Sequence, residues 1–429
     1  MPAYRDALFE DAGLERVGGE LVFGGVRLSE VAAAHGTPAY VYSFPTLRRR
    51  FGLLTAALDG VPHRICFSVK CNGNLAVLRL LHELGAGADI VSGGELARAL
   101  RAGMPAAHVV FSGVGKREAE LVRAVEAGVG FINVESVAEL ELLADVAARL
   151  GRPATVGIRV NPEVQAETHP YISTGKRGDK FGVPLDVVGE AAELVNRAPQ
   201  LTLGALAMHI GSQIVDVAPF AAAVERVIAL RDALPGRARE TTRALDIGGG
   251  LGIRYRDEAP ADLAAWRAAV VPLLRASGCF VLLEPGRFIA GPAGVLLTRV
   301  EYLKQSGGTR YVIVDAGKND LVRPSYYRAW HEIVPVRAAV EGAAETPASV
   351  VGPVCETGDF LALDRDTPPV ARGDLLAVLC AGAYGFSMAS TYNARPRPPE
   401  VAVDGGAHRL IRRRETVDEL LQCEEGLES

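Results

Sequence analysis

The chain reads as an α/β protein: a (β/α)8 barrel of the TIM type plus a C-terminal mainly-β domain that also takes in the N-terminal segment. Two observations predict it. Eight short apolar or β-branched runs alternate with stretches of helical period between about residues 64 and 287. Continuous apolar strands of that kind are buried on both faces, hence parallel and covered by helices. As an open sheet, eight such strands would leave two edges, and a barrel leaves none. After residue 290 the rhythm changes to strand-like runs without long helices between them.

In chain order, GGELVFGGVRLSEVAAAHG comes first, with one strand-like run and a short helix, and its place before the barrel assigns it to the β domain. The barrel runs are RICFSVKCN (64–72), GADIVS (87–92), HVVFSG (108–113), GFINVES (130–136), ATVGIRVNP (154–162), ALAMHIGS (205–212), RALDIGGG (243–250) and CFVLLEPGR (279–287). Between them Val137, Leu140, Leu143, Val146 and Leu150 recur at helical steps, as do Phe220, Val224, Val227 and Ile228. VLLTRVEYLK, TRYVIVDAG, HEIVPVRAAVE, ASVVGPVC, DLLAVLCAGAY, EVAVDGG and AHRLIRRRE then read as an antiparallel or mixed sheet. The expected domains are residues 36–290 for the barrel, with 1–35 and 291–429 for the β domain.

Composition excludes several functions. Lysine and arginine number 46 against 51 acids, a net charge of −5, so there is no basic footprint for nucleic acid. A hydrophobic share of 49% and a charged share of 23% exclude a long disordered chain. No apolar run approaches the roughly 18 residues of a membrane span. The N-terminus lacks a secretory apolar core, so the expected location is the cytoplasm. The six cysteines, at 66, 71, 279, 355, 380 and 423, form no CxxC and share no zinc spacing with histidine, so no metal is expected. They read as reduced thiols, mostly small buried hydrophobes. Arg48–Arg50 and Arg412–Arg414 read as solvated faces.

In a barrel of this kind the C-terminal strand ends form the active site. Those ends here carry Lys70, Cys71 and Asn72; Asp89 and Ser92; Arg159 and Asn161; His209, Gly211 and Ser212; Gly248–Gly250; and Glu284, Gly286 and Arg287. Taken singly, each has an ordinary reading as a solvated lysine, a rim histidine or a tight turn. Their convergence on one mouth is what matters. Glycine turns on the seventh and eighth strands let backbone N–H groups approach an anion, which is the usual barrel phosphate site. A lysine in such a mouth forms a Schiff base with a carbonyl once desolvated or charge-paired. Phosphate site, lysine and carboxylate together fit pyridoxal 5'-phosphate. A sugar-phosphate aldolase would share the first two features without requiring the carboxylate.

The order and spacing of FSVKCNGNLAVLRLLHELGAGADIVSGGELARALRAG, FSGVGK, THPYISTG with KFG, HIGSQI, LDIGGGLGI, EPGRFIAGPAG, VDAGKNDLVRPSYY, CETGDFLA and AGAYGFSMASTYNARPRPPEV resemble those of the diaminopimelate decarboxylases. These are alanine-racemase-like, fold type III pyridoxal-phosphate enzymes, and the resemblance spans residues 67–401. It implies a carboxy-lyase that converts meso-2,6-diaminopimelate to L-lysine and carbon dioxide, the last step of lysine biosynthesis. It also implies roles. Lys70 would carry the cofactor, His209 would stack on its ring, and Glu284 would pair with the ring nitrogen. Gly249, Gly250, Gly286 and Arg287, with Ser212 nearby, would bind the phosphate, while Asp89 and Arg159 would line the ring and its hydroxyl side. Arg287, Arg323, Tyr327, Glu356 and Tyr384 would meet the substrate, Tyr384 also touching the cofactor. Arg323 suits the distal carboxylate and Glu356 the distal ammonium. Cys355 would return a proton to carbon; a thiol with a pKa of about 8.5 is mostly protonated near neutrality. Cys355 and Glu356 would come from a second subunit, making a homodimer with shared active sites.

The chain departs from the family pattern at Cys71, Lys318, Val322, Ser325, Tyr326, Thr357, Phe67 and Ser68, none of which removes a catalytic group. Lys318 adds a charge close in sequence to Arg323. The alternative reading is therefore the same chemistry on ornithine, arginine, carboxynorspermidine or a carrier-bound acyl amino acid. A silent regulator that kept the fold is disfavoured by the retention of Lys70, His209, Glu284, Arg287 and Cys355. Residues 165–180, QAETHPYISTGKRGDK, read as a mobile active-site loop.

Overall fold

The computed structural model describes residues 3–164, 180–340 and 342–425. The segment expected to be a mobile loop lies outside the described residues except for Lys180. The chain divides into two compact units, Arg50–Ile253 with Ala259–Phe288, and Met1–Arg49 with Arg254–Glu258 and Ile289–Ser429. Among the described residues no helix is long and apolar enough to cross a membrane.

The first unit is a closed barrel of eight parallel strands. In chain order they are His63–Ser68, Gly87–Ile90, Val109–Phe111, Phe131–Val134, Ala154–Arg159, Leu201–Ala207, Ala244–Asp246 and Phe280–Leu283. Val281 opposite His63 joins the eighth strand to the first, so no edge remains. The strands are buried almost end to end, as their unbroken apolar character requires. Cys66, Val110 and Leu282 pack together with Phe131 and Phe280 against them. Each fully buried side chain of this size stabilises by about 1.5–3 kcal/mol, so truncating Leu282 to alanine costs about 2–5 kcal/mol.

Local chemistry starts and stops the covering helices. Asn74 caps Leu75–Glu83, Ser92 caps Gly93–Arg101, Ser136 caps Val137–Leu150 and Asp262 caps Leu263–Ser277, each accepting from a first-turn backbone N–H. Gly151 ends the third of these in the left-handed conformation, at φ 61°. Leu140, Leu143 and Val146 face the core as their spacing predicts, and Val137 and Leu150, at the helix ends, are half-buried.

The second unit holds a nine-stranded mixed sheet. Its main path runs Phe360–Thr367, Thr346–Val351, Thr309–Val314, Gly294–Ser306, Ala39–Ser43, Glu400–Asp404 and Ala407–Arg412. Strands Leu375–Val378 and Ile333–Pro335 branch from it. Ala39–Ser43 lies in the stretch expected to open the barrel. It pairs instead on both edges here, antiparallel to Gly294–Ser306 and parallel to Glu400–Asp404, and all five of its residues are buried. The compact units accordingly divide after Arg49 rather than at residue 36. Strand Phe360–Thr367 escaped the sequence reading because its exposed half is charged. The N-terminal segment has three short strands, not one: Leu14–Val17, Glu20–Phe23 and Val26–Arg27. They are joined by Gly18–Gly19 and Gly24–Gly25, all four at positive φ, which two-residue hairpin turns require.

The two arginine runs are not simply solvated. Arg50 is buried, donates to the Phe288 carbonyl at 2.8 Å and lies over the Phe288 ring at 3.8 Å. Arg48 pairs with Asp404 at 2.7 Å, and Arg414 donates to the Pro38 carbonyl. Methylene stems cover apolar surface while the guanidinium finds acceptors, and composition does not reveal those acceptors.

Candidate active site

The barrel unit gathers at its C-terminal strand ends the residues expected there: Lys70, Asp89, Arg159, His209, Ser212, Gly249, Gly250, Glu284, Gly286 and Arg287. Lys70 sits on the short turn Val69–Cys71 after the first strand, and its Nζ lies 2.7 Å from Asp89 Oδ2. Asp89 is fully buried on the second strand and also accepts from the Ser68 hydroxyl at 2.8 Å. Its other oxygen, Oδ1, is buried without a hydrogen-bond partner among the described residues.

The Gly249 N–H donates to His209 Nδ1 at 3.2 Å, so the hydrogen of a neutral ring sits on Nε2. Burial, with Arg159 and Lys70 adding positive charge, holds that imidazole well below its usual pKa. It stays neutral and presents a flat face. Arg159 is buried and pairs with Glu135 at 2.8 Å, its guanidinium 4.8 Å from the Phe181 ring centre. Glu135 also accepts from the Gly182 N–H at 2.8 Å and the Gly113 N–H at 3.2 Å.

Glu284 follows the eighth strand and is buried beside Asp246 on the seventh. Burial, then the negative charges of Asp246 and Asp89, pushes Glu284 well above the carboxylate range, and it hydrogen-bonds Asp246. Burial also pushes Asp246 up to about 6, while its bonds to Glu284, Gly248 and Asn133 favour its charged form. Ser112 Oγ donates to Glu284 Oε1 at 3.2 Å, and Asn133 donates to Asp246 at 2.9 Å. The pair therefore keeps a proton on Glu284.

Backbone oxygens exclude a side chain at Gly249 and Gly250, and Gly286 is tightly enclosed. A Cβ on Gly249 would fall 2.1 Å from the Glu284 carbonyl oxygen, one on Gly250 2.5 Å from the Gly211 oxygen, and one on Gly286 3.0 Å from Cys71 Sγ. Gly248 and Gly250 adopt φ of 66° and 108°. Arg287 Nη2 donates to Ser212 Oγ at 3.0 Å, which places a fixed cation beside these turns.

These residues fit a phosphorylated aldehyde with a basic ring nitrogen. Lys70 supplies the amine, His209 a neutral face, Glu284 a carboxyl proton, and Arg287 with Ser212 and the glycine turns an anion cradle. The unpartnered Asp89 Oδ1 beside Lys70 leaves an acceptor for a further cationic or N–H group. Burial raises the thiols of Cys66 and Cys71, so neither is an ionised nucleophile there. Among the described residues no group of histidine, cysteine and acidic side chains could hold a metal ion.

A model of the pyridoxal-dependent decarboxylases, pyridoxal binding domain, matches residues 45–291. The diaminopimelate decarboxylase of Pseudomonas aeruginosa is 51% identical over 94% of this chain and 96% of its own length. The chain belongs to the diaminopimelate decarboxylase family. The enzyme of that name from Aquifex aeolicus is 47% identical over 95% of the chain and 96% of the relative. The Helicobacter pylori diaminopimelate decarboxylase complexed with L-lysine superposes with a TM-score of 0.88 at 39% identity, covering 93% of this chain and 99% of that one. The M. jannaschii enzyme, also in co-complex with L-lysine, superposes at 0.89 with 33% identity, covering 96% and 97%.

The remaining expected site residues, Arg323, Tyr327, Cys355, Glu356 and Tyr384, lie on the β unit. Arg323 opens the short helix Arg323–Tyr327 and is buried, not solvated. Its Nη1 meets the Tyr255 hydroxyl at 3.0 Å and His331 Nε2 at 2.9 Å. Tyr327 packs edge-on against Tyr326, their ring centres 4.7 Å apart. Tyr384 sits at a φ of 56°, a strained conformation for a tyrosine. Cys355 and Glu356 are exposed on the loop after strand Thr346–Val351, where the Cys355 N–H donates to Asn393 Oδ1 at 3.0 Å. Cys66, Cys71, Cys279 and Cys380 are buried, whereas Cys355 and Cys423 are exposed, and no disulfide forms.

Sequence reasoning overlooked Ser112, Glu135 and Asp246, although each lies at or beside a strand end. It also missed Glu95, which burial raises to about 7 within electrostatic reach of Asp89 and Lys70. Its signal is SGGE, in which Ser92 caps a helix and Glu95 turns back to accept the Val91 N–H at 2.7 Å.

Proposed function

We propose that the chain is a pyridoxal-phosphate-dependent carboxy-lyase that converts meso-2,6-diaminopimelate to L-lysine and carbon dioxide, the last step of lysine biosynthesis. The observation that carries the reading is the barrel mouth. There Lys70 pairs with buried Asp89, neutral His209 lies beside it, Glu284 keeps its proton, and Arg287 with Ser212 borders the glycine turns. When bound, pyridoxal phosphate supplies an electron sink for the pair left behind as the carboxylate departs. Lys70 is the amine that carries it, and Asp89 holds that amine in place. Glu284 would pair with the ring nitrogen, its buried carboxyl set beside Asp246 and Ser112. His209 covers one face of the ring and keeps water from it. Arg159 is fixed by Glu135 along the hydroxyl side. Arg287, Ser212 and the backbone of Gly249, Gly250 and Gly286 hold the phosphate.

On the substrate, Arg323 and Glu356 take the carboxylate and ammonium of the distal amino-acid group, with Tyr327 and Tyr384 beside them. Cys355 holds the proton that returns to carbon. We also infer a homodimer with shared sites, in which Cys355 and Glu356 act with the barrel of the second copy. Six cysteines outside any disulfide fit a reducing cytoplasm.

The test is carbon dioxide release by the cofactor-loaded protein, with meso-diaminopimelate offered beside L-ornithine, L-arginine and L-lysine. Selective turnover of diaminopimelate is expected. Bound cofactor with turnover of another substrate alone would refute the substrate assignment and leave the chemistry.

A further inference from the structure

Lys318 stands outside the mechanism above, yet it is bound to one of its members. Its Nζ lies 2.5 Å from Glu356 Oε1, with side-chain exposures of 19% and 42%. The hydrogen bond from Lys318 and that from Tyr392 both hold the Glu356 carboxyl below its usual range. The Lys318 ammonium also lies 5.6 Å from the Tyr392 ring centre.

This is not a chance meeting of two flexible side chains. Asp359 is buried, and its Oδ1 accepts the Lys318 N–H while its Oδ2 accepts the Val354 N–H, both at 2.6 Å. One carboxylate thus ties the backbone carrying Lys318 to the loop carrying Glu356. Ser325 donates to the Gly358 carbonyl at 2.6 Å and fixes the other end of that loop. Asn393 fixes its middle through Cys355. Lys318 and Ser325, seven residues apart, are thus both tied to this one loop.

The result is a positive and a negative group held side by side, the complement of an amino-acid zwitterion. We propose that Lys318 and Glu356 together select a zwitterionic distal group, Glu356 taking the ammonium and Lys318 the carboxylate, so that Lys318 determines substrate specificity. The inference rests on the reading of Glu356 as a substrate residue. A zwitterion exchanges one ion pair for two: its ammonium replaces Lys318 on Glu356, and its carboxylate receives the released ammonium. A substrate ending in a cation alone displaces Lys318 and leaves it facing a like charge, which is selection by repulsion as well as attraction. Arg323 has Nη1 engaged by Tyr255 and His331, and Lys318 adds a second cation for the same carboxylate.

The test compares kcat and KM of wild type, Lys318→Met, Lys318→Gln and Lys318→Arg, all loaded with cofactor, on meso-diaminopimelate, L-lysine and L-ornithine. The last two present only an ammonium distally. Both neutral variants are expected to raise KM for diaminopimelate by about five-fold with kcat nearly unchanged, on the scale of one partly exposed ion pair. They should also relax discrimination against the cationic substrates by about five-fold. Lys318→Arg restores both, which a purely structural role would not require. High salt should shrink the difference. Wild-type turnover of diaminopimelate with unchanged KM and discrimination in the neutral variants overturns the inference and leaves the proposed function standing. Absence of wild-type turnover on diaminopimelate overturns both.

Discussion

Replacing Lys116 with methionine tests how the barrel holds its catalytic rim. The Lys116 side chain is 1% exposed and its ammonium pairs with Glu139 at 2.7 Å. It also donates to the Gly113 and Asn133 carbonyls at 2.8 and 2.6 Å, so one ammonium ties the ends of the third and fourth strands together. Ser112 and Glu135, which reach Glu284 and Arg159, stand beside those ends. Methionine keeps the stem volume and removes all three bonds, leaving a nearly buried carboxylate and two carbonyls without their donor. Breaking a buried pair on one side costs about 3–5 kcal/mol. For a unit of this size that corresponds to a loss of roughly 6–20 °C in melting temperature. Urea unfolding of the cofactor-free protein reads the change directly. Lys116→Met/Glu139→Leu should recover a large part of the loss, since removing both charges also removes their desolvation. A single-variant loss below about 1 kcal/mol, or a double variant no better than the single, would refute the reasoning.

Three further outcomes are expected. Burial pushes Asp320 up to about 7, so the folded chain keeps a proton that the unfolded chain loses near pH 3.9. Stability of the cofactor-free protein should therefore fall as pH rises from about 4 through about 7, and Asp320→Asn should flatten that slope in urea titrations run across the range. Gly249→Ala drives a methyl into the Glu284 carbonyl, so pyridoxal-phosphate titration followed by absorbance should show at least about ten-fold weaker binding, and unchanged affinity would contradict the cradle. Mixing inactive Lys70→Ala with inactive Cys355→Ala protein should restore about a quarter of wild-type carbon dioxide release if sites are shared between subunits, and no activity if each chain is self-sufficient.

The barrel was legible because its signals are local. Strands buried on both faces must be apolar throughout, and helices announce their starts with Asn74, Ser92, Ser136 and Asp262. Strand order then places Lys70, His209, Gly250 and Glu284 at one rim without further information. Charged or very short elements were hidden. Phe360–Thr367 was passed over for its run of charges, Asp364, Arg365 and Asp366, and the N-terminal hairpins for strands of two to four residues. Glycine pairs marked both hairpin turns and are the signal that was available.

What the sequence determined by itself is the set of groups whose role follows from type and nearest neighbours: the strand-end lysine, the glycine turns, the capping residues and the carboxylate after the eighth strand. Tertiary structure decided everything that depends on a partner far along the chain. Residues near position 40 became a central strand because Gly294–Ser306 and Glu400–Asp404 offered two free ladders. Arg50 and Arg323 were buried because carbonyl, hydroxyl and imidazole acceptors lay within reach. Lys318 met Glu356 because Asp359 holds both backbones. The physical reason is common to all three: burying a polar group is favourable only where acceptors converge in space, and that convergence is not written in any local stretch of residues.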